Sequence, residues 1–257
     1  MQNVKKYLII MVAIAFGVAV IAACVTLFSV KKVSAEFSVY GDSQAEEIQA
    51  DLDKLKGRNM VFLNKSDVYG ICDEYPYYEI TSVVKDYPNV LKVTVAKRVE
   101  AFTVADGGKT YVLDGEGVVL NDSGETEFPQ NVVSVGLGEL KVVEGVAGKK
   151  IVTADDGLFY SLIKTSRAAG LTDVVKGIDL QLVFDGENYS GKAVFHTYTG
   201  VEIAIYSIED DGENKINAAF IKYESLTDYE KTADKVIVSK NKTTGEIKAL
   251  WSEETVI

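Results

Sequence analysis

Hydrophobic and polar positions divide this chain into two unlike parts. Residues 7–30, YLIIMVAIAFGVAVIAACVTLFSV, run 24 positions without a charge. A hydrocarbon core of about 30 Å is crossed by roughly 20 helical residues, so the run predicts one transmembrane helix. Lys5 and Lys6 flank it on one side and Lys31 and Lys32 on the other, where their amines can reach headgroups. Within it Ala15, Ala19 and Ala23, and also Ala13 and Gly17, recur every fourth residue, a small-residue face that also arises by chance in an Ala-rich span. From residue 33 onward the pattern changes to short alternating and helical-period runs.

The first of these runs, residues 33–40, reads as a strand ending at Gly41-Asp42. Ser43 is the expected helix N-cap, with Glu46 at the third helical position to complete a capping box. Ile48, Leu52 and Leu55 recur at helical spacing, and Gly57 stops the helix. Asn64 or Ser66 caps a shorter second helix that contains Gly70 and ends at Pro76. Strands at 80–86 and 90–97 follow, separated by Tyr87-Pro88-Asn89. In the second of them Leu91, Val93 and Val95 alternate with Lys92, Thr94 and Ala96, the period of a half-buried strand. The expected unit is a three-stranded sheet covered on one face by two helices.

Beyond residue 100 the signals are mostly those of sheet. Residues 101–105 and 110–113 flank Asp106-Gly107-Gly108-Lys109, a hairpin turn, and Asp114-Gly115-Glu116-Gly117 makes another. Residues 132–151 are Gly-rich and predict no firm element. Asp155 or Asp156 then caps a helix in which Leu158, Leu162 and Thr165 share a face and which ends at Gly170. Strands are expected at 177–185, 191–199 and 201–207, the last with Val201, Ile203 and Ile205 inward. A helix at 215–226 carries Ile216, Phe220 and Tyr223 on one side. The chain closes with strands at 235–239 and 246–251 around a 240–245 turn. The fold class is α+β: a single N-terminal transmembrane helix, a small mixed domain, and a larger β-rich domain.

Charge narrows the function. The first 32 residues hold four Lys and no acid, so residues 33–257 carry 23 bases against 38 acids, a net charge of −15. Phosphate backbones repel such a body, which excludes nucleic acid as a partner. Cys24 lies in the apolar run and Cys72 beyond it, so no disulfide can form between two soluble positions. Ile21-Ala22-Ala23-Cys24 resembles the lipobox of bacterial lipoproteins, in which the Cys is lipidated. The next six residues stay apolar, however, and the run is much longer than the apolar core of a cleaved signal, about 7–15 residues. Both observations favour an uncleaved anchor. Lys counts are equal at its two ends, so the orientation rests on the tail: residues 1–6 are simplest to leave in the cytoplasm while the body is translocated.

Candidate chemistry is sparse. His196 is the only His, and without a second His or a Cys cluster no zinc-ligand spacing exists. No Gly-x-Ser-x-Gly elbow occurs, and Gly107-Gly108-Lys109 is too short for a phosphate loop. The acid pairs Asp155-Asp156, Glu209-Asp210-Asp211 and Glu253-Glu254 fall in expected caps, turns or the tail, where they read as solvated charge. The expectation is a non-enzymatic protein with no cofactor, no metal and no small-molecule substrate. A terminal strand whose N–H and C=O groups are unpaired can instead accept a partner strand.

Several segments resemble one family. Val39-Tyr40-Gly41, Gly57-Arg58-Asn59-Met60-Val61-Phe62 and the stretch ITSVVKDYPNVLKVTV at 80–95 are similar to the POTRA module of the FtsQ/DivIB cell-division proteins. Thr110-Tyr111-Val112-Leu113-Asp114-Gly115-Glu116-Gly117-Val118-Val119-Leu120 is similar to the hairpin that opens that family's β domain. Lys97 and Glu100 depart from it, standing where the family commonly has an acid and a Pro. The resemblance implies a cytoplasmic tail at 1–6, a transmembrane helix at 7–30, a POTRA-like domain at 33–100, a β domain at 101–251 and a tail at 252–257. It further implies a single-pass cell-membrane protein of the division septum, with its soluble domains extracytoplasmic and its partners FtsB/DivIC-like and FtsL-like proteins. Their docking edge would be the last strand, Glu246, Ile247, Lys248, Ala249, Leu250 and Trp251, with Trp251 as the aromatic anchor. The plain alternative for Trp251 is core packing. The alternative for the whole chain is an extracytoplasmic lipoprotein or a cell-wall hydrolase.

Overall fold

A computed structural model describes residues 2–39, 41–122, 132–168, 173–184, 189–232, 235–241 and 243–252 of the chain. The fold is mixed α+β and sheet-rich, and it divides into two compact units, Met1–Arg98 and Val99–Ile257.

The first unit opens with helix α1, Gln2–Leu27, whose stretch Ile10–Leu27 is long and apolar enough to cross a membrane. Cys24 lies inside this helix, its carbonyl accepting from the Phe28 N–H at 3.0 Å. Strand β1, Lys32–Phe37, then leads to α2, Ser43–Asp53, and α3, Lys65–Tyr69, which runs into a 3₁₀ turn, Gly70–Glu74. Strands β2, Tyr78–Asp86, and β3, Val90–Lys97, complete a sheet of order β1-β3-β2, with β1 parallel and β2 antiparallel to the central strand. Ala45, Ile48 and Leu52 of α2 are buried against Leu91, Val93 and Val95 of β3 in one core cluster. Each such large aliphatic side chain stabilises the unit by about 1.5–3 kcal/mol.

One capping assignment needs correction. Asp42, not Ser43, is the N-cap of α2, its carboxylate accepting from the Gln44 N–H at 3.1 Å. The same carboxylate accepts from Tyr78 Oη at 2.6 Å and pairs with Lys97 Nζ at 2.8 Å. Asp42 thereby ties the start of α2 to β2 and β3, which Ser43, with a neutral hydroxyl, could not do as strongly. The hydrogen bond and charge of Lys97, then the bonds from Tyr78 and Gln44, hold its carboxyl down at about 2. Asn64 caps α3 as one of the two expected residues, and Gly70 ends that helix instead of lying within it.

In the second unit the strands are β4, Glu100–Asp106; β5, Lys109–Asp114; β6, Val119–Asn121; β7, Val133–Gly136; β8, Val142–Glu144; and β9, Val152–Thr153. Helix α4, Asp156–Ala168, is followed by β10, Val175–Phe184; β11, Tyr189–Thr197; and β12, Glu202–Tyr206. Helix α5, Gly212–Glu224, and the strands β13, Lys235–Lys240, and β14, Ile247–Ser252, close the chain. The β4–β5 turn is the expected one, with Gly107 at φ +60° and Gly108 at φ +79°, as a two-residue hairpin loop requires. Asp155 caps α4 through the Leu158 N–H at 3.0 Å, whereas Asp156 turns back to the Thr153 N–H at 2.6 Å. The expected stop at Gly170 lies outside the described residues. Helix α5 begins three residues earlier than expected.

Nine of these strands form one sheet in the order β14-β13-β12-β11-β10-β7-β4-β5-β6, and among the described residues β8 pairs only with β9. α4 and α5 cover one face, packing Leu158, Phe159, Leu162, Ile216 and Ala219 onto Leu180, Phe195, Ile203 and Val236. The unpredicted strand β7 is the joint. It pairs in parallel with β4 on one side and β10 on the other, uniting the two halves of the sheet. Gly138 of this Gly-rich segment has a steric reason: at φ +59°, a Cβ there would stand 2.4 Å from the Leu180 carbonyl oxygen.

Candidate partner-binding edge

β14 is a terminal strand of the nine-stranded sheet, paired only with β13 among the described residues. Its register is set by the turn before it. Gly245, at φ +71°, donates its N–H to the Asn241 carbonyl at 2.8 Å, while the Asn241 N–H donates to the Glu246 carbonyl at 2.8 Å. A Gly in this conformation opposite one residue of the partner strand is a G1 bulge. Antiparallel ladders alternate, so Lys248, Leu250 and Ser252 direct their peptide groups toward Ser239, Ile237 and Lys235. Ile247, Ala249 and Trp251 therefore turn both N–H and C=O outward, along the open edge. That edge offers three donors and three acceptors.

Side chains alternate the other way across the sheet. Ile247, Ala249 and Trp251 are half-buried against the core under α5, and Lys248 and Leu250 are exposed, Leu250 by 62%. The alternation is regular, with Ala249 in an inward position that its small size hides in the sequence. Trp251 therefore packs partly into the core, its indole N–H buried without an acceptor among the described residues. The apolar group that the strand presents to solvent is Leu250. It ends a cross-strand row through Val194, Ala204 and Ile237 on the face opposite the helices. Sequence reasoning brought the strand into view but not this division of labour between inward side chains and outward peptide groups. The Gly245 turn was the signal that could have given it.

The polar groups singled out elsewhere form structural contacts. His196 Nε2 lies 2.8 Å from Asp179 Oδ2, and its Nδ1 lies 3.6 Å from Glu202, which pairs with Lys235 at 3.2 Å, so one row of polar side chains crosses β10 to β13. Lys240 pairs with Asp210 at 3.1 Å and Asp211 at 3.5 Å. Lys215 is buried, with Nζ donating to the carbonyls of Tyr206 and Ser207 at 2.9 and 2.7 Å, and burial pulls its pKa down. It joins the start of α5 to the end of β12. Glu253-Glu254 lies outside the described residues. Among the described residues no group of three or more His, Cys, Asp or Glu side chains could hold a metal ion. Burial raises the Cys72 thiol to about 11, which leaves it protonated and unreactive near neutral pH.

No protein-family model and no curated protein matches this chain.

Proposed function

We propose that this chain is a non-enzymatic, membrane-anchored scaffold of bacterial cell division, of the FtsQ/DivIB kind. Helix α1 would hold it in the cell membrane with its first residues cytoplasmic and its body outside, at the septum. The first unit supports this reading through its strand-helix-helix-strand-strand order and its mixed sheet, the features expected of a POTRA module. The second unit supports it through the order of parts along the chain: the opening hairpin at 100–114 and a sheet that ends on the last strand.

The observation that carries the proposal is the open edge of β14. A partner segment in extended conformation would add a tenth strand, pairing with the outward peptide groups of Ile247, Ala249 and Trp251 while Leu250 meets its side chains. Main-chain bonds supply affinity in this mode and alternate side chains supply register. The partners implied are the extracytoplasmic parts of FtsB/DivIC-like and FtsL-like proteins.

Co-purification of the membrane-embedded full chain with such a pair tests the reading. The substitution Ala249→Pro removes an outward N–H and no bond to β13, so capture should be lost while the fold survives. Capture by neither form, or equal capture by both, would overturn it.

A further inference from the structure

The end of α1 is stitched to the loop between α2 and α3. The Met60 N–H donates to the Phe28 carbonyl at 2.7 Å, the Val30 N–H to the Arg58 carbonyl at 2.9 Å, and the Gly57 N–H to the Val30 carbonyl at 2.9 Å. Asn59 adds a bond from its amide to the Val25 carbonyl at 3.5 Å, and its side-chain oxygen fixes the Val61 N–H at 2.9 Å. Lys85 holds the far side of the loop through the Leu63 carbonyl at 2.6 Å. The β2–β3 turn reaches the same end: Tyr87 packs edge-on to Phe28 with ring centroids 5.9 Å apart, and the Asn89 carbonyl accepts from the Lys31 N–H at 2.9 Å.

This tied loop presents apolar groups to solvent. Phe62 is 83% exposed, Val61 50% and Tyr87 53%. The uncharged part of α1, from Tyr7 to the helix end at Leu27, rises roughly 30 Å, matching the hydrocarbon thickness, so Leu27 falls near the boundary with the headgroups. Met60 is bonded to the next residue, Phe28, and consecutive Cα atoms are about 3.8 Å apart, so Val61 and Phe62 lie near that boundary too. Charge fits the same place. Residues 54–66 hold Lys54, Lys56, Arg58 and Lys65 and no acid, in a chain whose net charge is −11. Lys54 and Lys56 pair with Asp51 and Asp53, and Arg58 lines a groove with Asp67 and Glu74, while Lys65 and the adjacent Lys31 and Lys32 are exposed.

We propose that the 59–63 loop, with Tyr87 beside it, is a lipid-interface seat: Val61 and Phe62 dip into the headgroup layer around α1, and the neighbouring bases meet anionic lipid. The seat rests on α1 crossing the membrane, and it would fix the first unit at the bilayer surface independently of any protein partner. Aromatic and apolar tips beside exposed bases are the composition that binds this layer. Continuity with α1 and the local positive charge favour lipid over a protein occupant.

The test uses the full chain with Trp251→Phe, in nanodiscs of phosphatidylcholine with or without phosphatidylglycerol, and acyl-brominated phospholipid as quencher. Phe16→Trp probes the span and Phe62→Trp the seat. Both should lose emission to brominated lipid, Phe62→Trp most to bromines placed near the headgroups and more so with phosphatidylglycerol, and it should resist aqueous iodide. If Phe16→Trp is quenched while Phe62→Trp is open to iodide and untouched by brominated lipid, the seat falls and the span stands. If Phe16→Trp is not quenched, both fall. Shielding of Phe62→Trp from iodide without lipid quenching gives the loop to a protein partner or a second copy and overturns the proposal. Tyr87→Trp repeats the reading at the same level, so misfolding of one variant does not remove the test.

Discussion

At one end of the nine-stranded sheet, β6 turns its outer polar groups into the loop behind it. The Val119 N–H donates to the Lys149 carbonyl at 2.9 Å, the Gly148 N–H to the Val119 carbonyl at 2.8 Å, and the Ile151 N–H to the Gly117 carbonyl at 2.9 Å. Val118, Val119 and Leu120 are all buried there. At the other end β14 is twice as long, and its outward peptide groups meet no strand or loop among the described residues. Sheets that must stay solitary cover, shorten or charge their edges. The β6 end is both covered and short. Among the described residues of β14 only Lys248 carries a charge, with Leu250 exposed beside it, and the proposed docking at β14 rests on this difference within one sheet.

The contrast can be broken most severely at the covered end. Val119→Pro removes a buried donor and should destabilise the second unit by about 3 kcal/mol, read from denaturant titration followed by Trp251, the only Trp in the chain. Leu250→Pro removes an N–H directed at β13 and should cost about 1–3 kcal/mol by the same titration. Acid should act on the first unit through Asp42. The Asp42 carboxyl lies below its ordinary value when folded, so its contribution is complete above about pH 4. That contribution is lost as pH falls through about 2, and an NMR titration of this carboxyl should show its midpoint there. Ala249→Pro should have the smallest effect on stability, within about 0.5 kcal/mol, because the N–H it removes faces outward. Equal costs for Ala249→Pro and Leu250→Pro would show that the register of β14 is wrong.

Legibility followed the range of the interactions. The Gly107-Gly108 turn and the Leu91-Val93-Val95 alternation depend on neighbours a few residues away and are legible in the sequence alone, which also narrows the α3 cap to Asn64 or Ser66. Asp42 and Ser43 can both cap a helix; only the approach of Tyr78 and Lys97, from 36 and 55 residues away, decides between them. β7 is not legible because four residues carry little periodicity, and Gly136 reads as a breaker until β10 is set beside it. The β14 strand was visible in residues 246–251. That it ends the sheet was not, because strand order is settled by pairings such as β4–β7–β10 that no local pattern records.

The most direct measurement is residue-resolved amide hydrogen exchange of the full chain in nanodiscs, with and without the proposed partner pair. In the free protein Ile247, Ala249 and Trp251 should exchange quickly, and Lys248, Leu250 and Ser252 slowly, while Val119 stays protected at the covered end. Binding should slow the first three and leave Val119 unchanged. Partner binding that leaves Ile247, Ala249 and Trp251 exchanging as before would contradict the assignment of β14 as the docking edge.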